Sequence, residues 1–298
     1  MKVLVTGATG LVGSALVPVL TANGHEVFRL TRSEAKLGND IHWNPTSRDL
    51  PKARLEGLDA VVHLAGENIA ASRWTNKVKE RLRFSRVDTT KFLCDTLAQL
   101  QQPPKTLVCA SAIGYYGQRG AEILTESTSP GTGFLADLCR DWEAACEPAR
   151  KLGMRVVNLR IGVILSPKGG ALAKMLTPFR MGVGGVIGSG RQYWSWISID
   201  DVVEAIHTSL TNAHLSGPVN ATAPTPVMNV DFTKTLGTVL GRPTIFPMPA
   251  FAARLALGEM ADDLLLGSAR VMPNRLSESN FQFQHPKLEG ALRFLLGR

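Results

Sequence analysis

Glycines 7, 10 and 13 have the spacing of a loop that holds an anion with its backbone. They follow Val3-Leu4-Val5-Thr6, which reads as a strand, and lead into residues 11–20, whose apolar positions recur with helical period. A strand that turns directly into a helix leaves the first helical N–H groups without partners. Glycine permits the sharp turn and lets a pyrophosphate approach the backbone. Thr9, Leu11 and Val12 lie within the same loop. The next strand, residues 26–30, runs into Thr31-Arg32-Ser33. A dinucleotide site built for a free ribose 2′-hydroxyl places an acid about 20 residues beyond the glycines. Arg32 in that place would instead pair with a 2′-phosphate through charge-assisted hydrogen bonds, so the expected cofactor is NADP(H).

Groups able to exchange a proton fall at the ends of two further strands. Asp59-Ala60-Val61-Val62-His63-Leu64-Ala65-Gly66-Glu67-Asn68 reads as a strand ending in a loop of small residues, and Leu64, Ala65 and Gly66 are expected along the adenosine side of the cofactor. His63 reads as packed, because no second ligand stands at metal-binding spacing, and no metal is expected. Glu67 in this loop, with Ser111 and Tyr115 after the following strand, are the candidate proton-handling residues; the neighbouring Tyr116 is the weaker of the two tyrosines. Gly162 and Ile164, beyond the strand at 155–159, complete the cofactor-binding set.

The elements that must position these groups alternate in the first half of the chain. Strands are expected at 2–6, 26–30, 60–64, 106–110 and 155–159, and helices at 11–23, 75–101 and 134–152. That alternation predicts an α/β chain with a doubly wound, Rossmann-type parallel sheet. Beyond Ile164, Gly- and Pro-rich segments at 166–170 and 182–190 read as loops over a cleft, 202–210 as a helix and 218–221 as a strand returning to the sheet. Residues 1–165 with about 194–223 then form the nucleotide-binding domain, and 166–193 with 224–298 a smaller C-terminal substrate-side domain.

The 298-residue chain carries 33 Lys and Arg against 25 Asp and Glu, a net +8, with 44% hydrophobic residues. The basic residues are scattered and not interleaved with aromatics, which argues against a nucleic-acid partner. No apolar run reaches the length of a membrane span, and no charged leader precedes the first strand, so the expectation is a cytoplasmic protein acting on an unidentified small molecule. A homodimer is left open. Cys94, Cys109, Cys139 and Cys146 lack metal or redox spacing and read as buried free thiols.

Gly7-x-x-Gly10-x-x-Gly13, 59–66, 110–117 and 188–201 together resemble the extended short-chain dehydrogenase/reductases, the group of the sugar-nucleotide epimerases and dehydratases. Within it, Leu64-Ala65-Gly66-Glu67-Asn68-Ile69, Gly114-Tyr115-Tyr116-Gly117, Pro178-Phe179-Arg180 and Ile187-Gly188-Ser189-Gly190 resemble an atypical, epimerase-like branch with a C-terminal domain of unknown function, matched here by 247–296. By this resemblance the proton-exchanging Tyr and its Lys would stand at Phe134 and Leu138, which have neither proton nor charge to offer. The resemblance puts Ala112 at the family's Ser position, with Ser111 just before it and, by strand alternation, turned to the other face. Arg86 stands for the family's Asn; near the cofactor it would hold a phosphate, a ribose or an anionic substrate. Trp194 replaces the Arg that holds a nucleotide diphosphate, and with Trp196 implies an apolar substrate wall or a packed hinge, the latter favoured.

Three functions remain open on these residues. The first is an NADP(H)-dependent oxidoreductase with a proton donor other than the family's Tyr. The second is a non-catalytic NADP(H)-binding regulatory module. The third is a nucleotide-sugar epimerase or dehydratase, ranked last because both the base and the diphosphate contact are missing.

Overall fold

In the computed structural model, which describes residues 1–33 and 38–298, β1 (Lys2–Thr6), β2 (Glu26–Thr31), β3 (Asp40–His42), β4 (Ala60–His63), β5 (Thr106–Ala112), β6 (Arg155–Ile161) and β7 (Gly217–Ala221) form one sheet. The seven strands are parallel and ordered β7-β6-β5-β4-β1-β2-β3. β1, β4 and β5 are buried on both faces, which is why they read as near-continuous apolar runs. β3 escapes the sequence pattern: it is three residues long and includes Asp40 and His42, so it lacks the apolar run that marks an interior strand.

One core lies under α3 (Thr89–Leu97) and the helices α4 (Phe134–Ala144) and α5 (Glu147–Lys151). The other packs α1 (Leu11–Ala22) and α7 (Ile199–Thr211) on the opposite face. The expected helix 75–101 is broken into α2 (Asn76–Arg83), a widened turn at Phe84–Asp88 and α3. Thr89 Oγ1 donates to the Phe84 carbonyl at 3.0 Å inside that turn, and Pro103-Pro104 follow the early end of α3. The expected helix 134–152 is also two helices. Pro148 lacks an N–H and its ring excludes the carbonyl four residues back, Ala144, where α4 stops.

A third core joins α6 (Gly170–Arg180), α8 (Asn229–Leu240) and α11 (Leu288–Leu296) around Trp194, Trp196 and Phe232. Both tryptophans are packed and their N–H groups bond to the Leu265 and Thr225 carbonyls, in keeping with the hinge reading. Leu276 and Phe281, by contrast, enter the core of the main sheet. The two remaining helices are α9 (Ala250–Leu257) and α10 (Asn274–Glu278). Buried Asp201 ties the C-terminal segment to α7, accepting from Ser198 Oγ (2.8 Å) and from the Gln284 (2.7 Å) and His285 (3.2 Å) N–H groups. All four cysteines are buried and free. Among the described residues no helix is long and apolar enough to cross a membrane.

Candidate functional site

The glycine loop joins β1 to α1, and its glycines do different work. Gly7 has φ +68°, and a Cβ there would stand 2.8 Å from the Leu64 backbone. A Cβ on Gly13 would lie 2.2 Å from the Gly7 carbonyl oxygen. Both are fixed by chain packing. Gly10 caps α1 in an extended conformation without a side-chain bond, and its nearest obstacle is the Gly7 oxygen at 3.2 Å. Thr9, Gly10 and Leu11 line a cleft of about 490 Å³ with Ser14, Lys168 and Asp200, and Leu11 packs against Gly169 and Gly170 at the start of α6. Val12 packs into the core of that face.

Arg32 follows β2 on the surface, and Thr31 Oγ1 accepts the Ser33 N–H at 3.2 Å. Leu64 and Ala65 donate their N–H groups to Thr6 Oγ1 at 3.1 and 3.0 Å. Thr6 therefore gives its own proton to His63 Nδ1 (2.7 Å), which leaves the ring proton on Nε2 to donate to Thr90 Oγ1 at 3.0 Å. His63 is thus a buried, neutral, packed histidine. Burial lowers its pKa to about 4, with Cys146 opposing. The unfolded chain, with an ordinary value of 6.5, binds more protons between pH 4 and 6.5, so stability is full above that window and falls as pH drops through it. The expected loss is about 3 kcal/mol. Urea unfolding at pH 7.5 and 4.5 checks this: His63→Gln should remove that part of the pH dependence, and an unchanged slope refutes it.

At the end of β5 the polar side chains close on one another. Buried Ser111 donates to Glu143 Oε1 at 2.7 Å. Glu143 grips Arg160 with two bonds of 2.8 Å. Arg160 donates to Tyr116 Oη at 3.0 Å, and Tyr116 donates to Asn220 Oδ1 at 2.7 Å. Burial pulls the Arg160 pKa down, but the paired Glu143 more than offsets this and the net shift is upward. Ser111 and Tyr116 are thereby committed to the interior. Tyr115 is half-buried, its ring lies flat on Arg160 with the guanidinium carbon 3.4 Å from the ring centre, and among the described residues its hydroxyl has no hydrogen-bond partner. Glu67 turns its carboxylate outward to Arg81 at 3.3 Å.

Phe134 and Leu138 sit in an apolar plug. Phe134 meets Trp74 edge-on at 5.1 Å, and Leu138 packs with Trp74, Leu82 and Met260. Residues of the C-terminal part hold the plug shut: Arg73 donates to the Leu255 and Ala256 carbonyls, and Lys79, 5.0 Å from the Phe134 ring centre, pairs with Glu259 at 2.6 Å. Gly162 is bare for a packing reason, since a Cβ would meet the Ser195 oxygen at 2.6 Å, and Ile164 lies in a short strand, Val163–Leu165, paired with Trp196–Ser198.

The chain matches the NAD dependent epimerase/dehydratase family over residues 3–221 and the domain of unknown function DUF1731 over 248–295. It belongs to that epimerase/dehydratase family. It is 44% identical to the epimerase family protein Mb2239 of Mycobacterium bovis over 296 residues, covering 99% of this chain and 98% of that one. With the epimerase family protein YfhF of Bacillus subtilis the identity is 37% over 99% of this chain and 98% of that one. The crystal structure of the human epimerase family protein SDR39U1 with NADPH superposes with a TM-score of 0.92 at 34% identity, over the whole of both chains.

Against the expectations for this family member, the fold class and the family stand. The interior network was missed. Its signal was present in β6, where Asn158 and Arg160 interrupt the apolar residues that follow Arg155, but their partners lie on other elements: Glu143 and Arg150 on α4 and α5, and Tyr116 after β5.

Proposed function

We propose that this chain is an NADP(H)-dependent oxidoreductase acting on a small carbonyl or alcohol compound, with Tyr115 exchanging the proton. One observation carries the cofactor part: Gly10 opens α1 without a side-chain cap beside β2, which Arg32 follows, so the residues fit a pyrophosphate and a 2′-phosphate. The NADPH in the human relative supports the same choice. When bound, the nicotinamide supplies or accepts the hydride. Gly10, Leu11, Val12 and Gly13 would hold the pyrophosphate on the helix N-terminus, and Leu64, Ala65 and Gly66 would line the passage beside it. Tyr115 is the proton group because Ser111 has spent its proton on Glu143 and Glu67 faces solvent with Arg81. Arg160 beneath the ring holds it in one plane. The apolar plug at Phe134 and Leu138 argues against the family's usual Tyr–Lys pair and, with Trp194 packed, against a nucleotide-sugar reaction.

Two measurements test this. Arg32→Ala should weaken NADPH by about 1.5–3 kcal/mol, roughly 10- to 100-fold, and leave NADH unchanged; equal losses for both cofactors contradict the assignment. In a screen of NADPH consumption with small aldehydes and ketones, Tyr115→Phe should lower kcat by about 10²–10⁴-fold with cofactor affinity preserved. Wild-type protein that consumes NADPH with none of them favours the second reading, a cofactor-binding protein without turnover, which the plug supports.

A further inference from the structure

Arg86 is a half-buried cation that, among the described residues, no acid pairs with. It stands in the widened turn between α2 and α3, where Nη2 donates to the Glu67 carbonyl at 2.9 Å. Nη1 reaches the Leu82 carbonyl and Ser85 Oγ only at 3.4 Å, and the guanidinium carbon lies 5.2 Å from the centre of the Trp142 ring. Among the described residues no carboxylate comes within ion-pair distance, since Glu67 turns to Arg81. Burial lowers the Arg86 pKa, with Cys139 and Glu67 opposing. Arg155 makes the contrast. It too has no acid partner among the described residues, but it donates to three carbonyl oxygens and Thr106 Oγ1 at 2.7 to 3.2 Å. Arg86 has one short bond, and a cation drawn out of water without a counter-ion is costly unless something supplies the charge.

Sheet order says which ligand could supply it. Arg32 follows β2 and the glycine loop follows β1, so a dinucleotide with its 2′-phosphate at Arg32 would spread its second half over β4, β5 and β6. Gly66 follows β4 on that half, and a Cβ added there would meet the Arg86 guanidinium at 3.5 Å. With no side chain at Gly66 between them, a cofactor held at the start of α1 would bring its reacting half to the side of the sheet where Arg86 stands.

We propose that Arg86 anchors an oxyanion of the substrate, a carboxylate or phosphate group carried by the small carbonyl or alcohol compound. This rests on the oxidoreductase reading and moves Arg86 from the cofactor to the substrate. The test is calorimetric titration of malonate and of inorganic phosphate into protein saturated with NADP⁺, with NADPH affinity measured separately on the same protein free of cofactor. Wild-type protein should bind at least one probe, and Arg86→Met should weaken that binding about tenfold or more, the scale of one charge-assisted hydrogen bond, while NADPH affinity holds. Should Arg86→Met fail to fold, Arg86→Gln, whose amide can keep the bond to the Glu67 carbonyl, carries the same expectation. Wild-type protein that binds neither probe, or binding indifferent to removal of the charge, overturns the proposal. So does NADPH affinity that falls in step with probe affinity, which would place Arg86 on the cofactor's phosphates. Failure of the oxidoreductase reading registers separately, as protein that takes no NADPH or shows no turnover.

Discussion

Gly10→Val should abolish NADPH binding in a protein that remains folded. The substitution adds a branched side chain at the least obstructed glycine of the 7, 10, 13 triplet: the backbone is extended at φ −74° and ψ 176°, and a Cβ needs the Gly7 oxygen, 3.2 Å away, to give only slightly, against 2.8 Å and 2.2 Å at Gly7 and Gly13. The new methyl groups would stand where the pyrophosphate meets the first N–H groups of α1, removing charge-assisted bonds together with the space. The expected loss is about 3 kcal/mol or more, roughly 100-fold or more in affinity. Gly13→Val should behave differently and fail to fold, because its Cβ would overlap the Gly7 oxygen at 2.2 Å and Ala8 Cα at 2.7 Å. Circular dichroism and fluorescence titration of NADPH separate the two outcomes. A folded Gly10→Val protein with normal NADPH affinity would show that the cofactor lies elsewhere.

Glu143→Gln should be among the most destabilising single changes in the chain. Arg160 is 2% exposed and its guanidinium is held by both carboxylate oxygens of Glu143, so removing the acid strands a buried cation. Breaking such a pair from one side costs about 3–5 kcal/mol. In a domain of this size that lowers Tm by roughly 10 °C. The paired replacement Glu143→Leu with Arg160→Met should recover most of the loss, because apolar groups of similar volume offset the desolvation that the ion pair must overcome. A double-mutant cycle by urea unfolding reads the coupling directly. If the single change costs less than about 1 kcal/mol, the pair is solvated and Tyr115 does not rest on a rigid platform.

The parts of the site that were legible in the sequence are local. The glycine loop, the strand before it and the helix after it fall within the first 22 residues, and the limits on Gly10 and Gly13 are set by the backbone of residues 7 and 8, whereas Gly7 is also held against the distant Leu64 backbone. The places of Arg32 and of the small residues 64–66 are legible because each follows a strand whose apolar run announces it. The mismatch at Phe134 and Leu138 was visible only through the family resemblance, as an absence of chemistry.

What fills that absence was decided by tertiary structure. Phe134 packs with residues as far along the chain as Met260, and Lys79 over its ring is anchored by Glu259, 180 positions away. No period in the sequence encodes such a meeting. The break between α2 and α3 was equally invisible, since neither Pro nor Gly marks it, yet it carries Arg86 at the edge of the sheet. Ser111 and Tyr115 read alike as proton donors because residue type records the capacity to exchange a proton, whereas the partner that takes it is set by the fold. The chain's own sequence therefore determined the parallel sheet and the glycine turn between β1 and α1, because these follow from apolar runs and turn residues over short spans. Packing decided which side chains remain free to act, since burial and hydrogen bonding commit Ser111, Tyr116 and His63 to the interior and leave the Tyr115 hydroxyl and the Arg86 guanidinium without full partners.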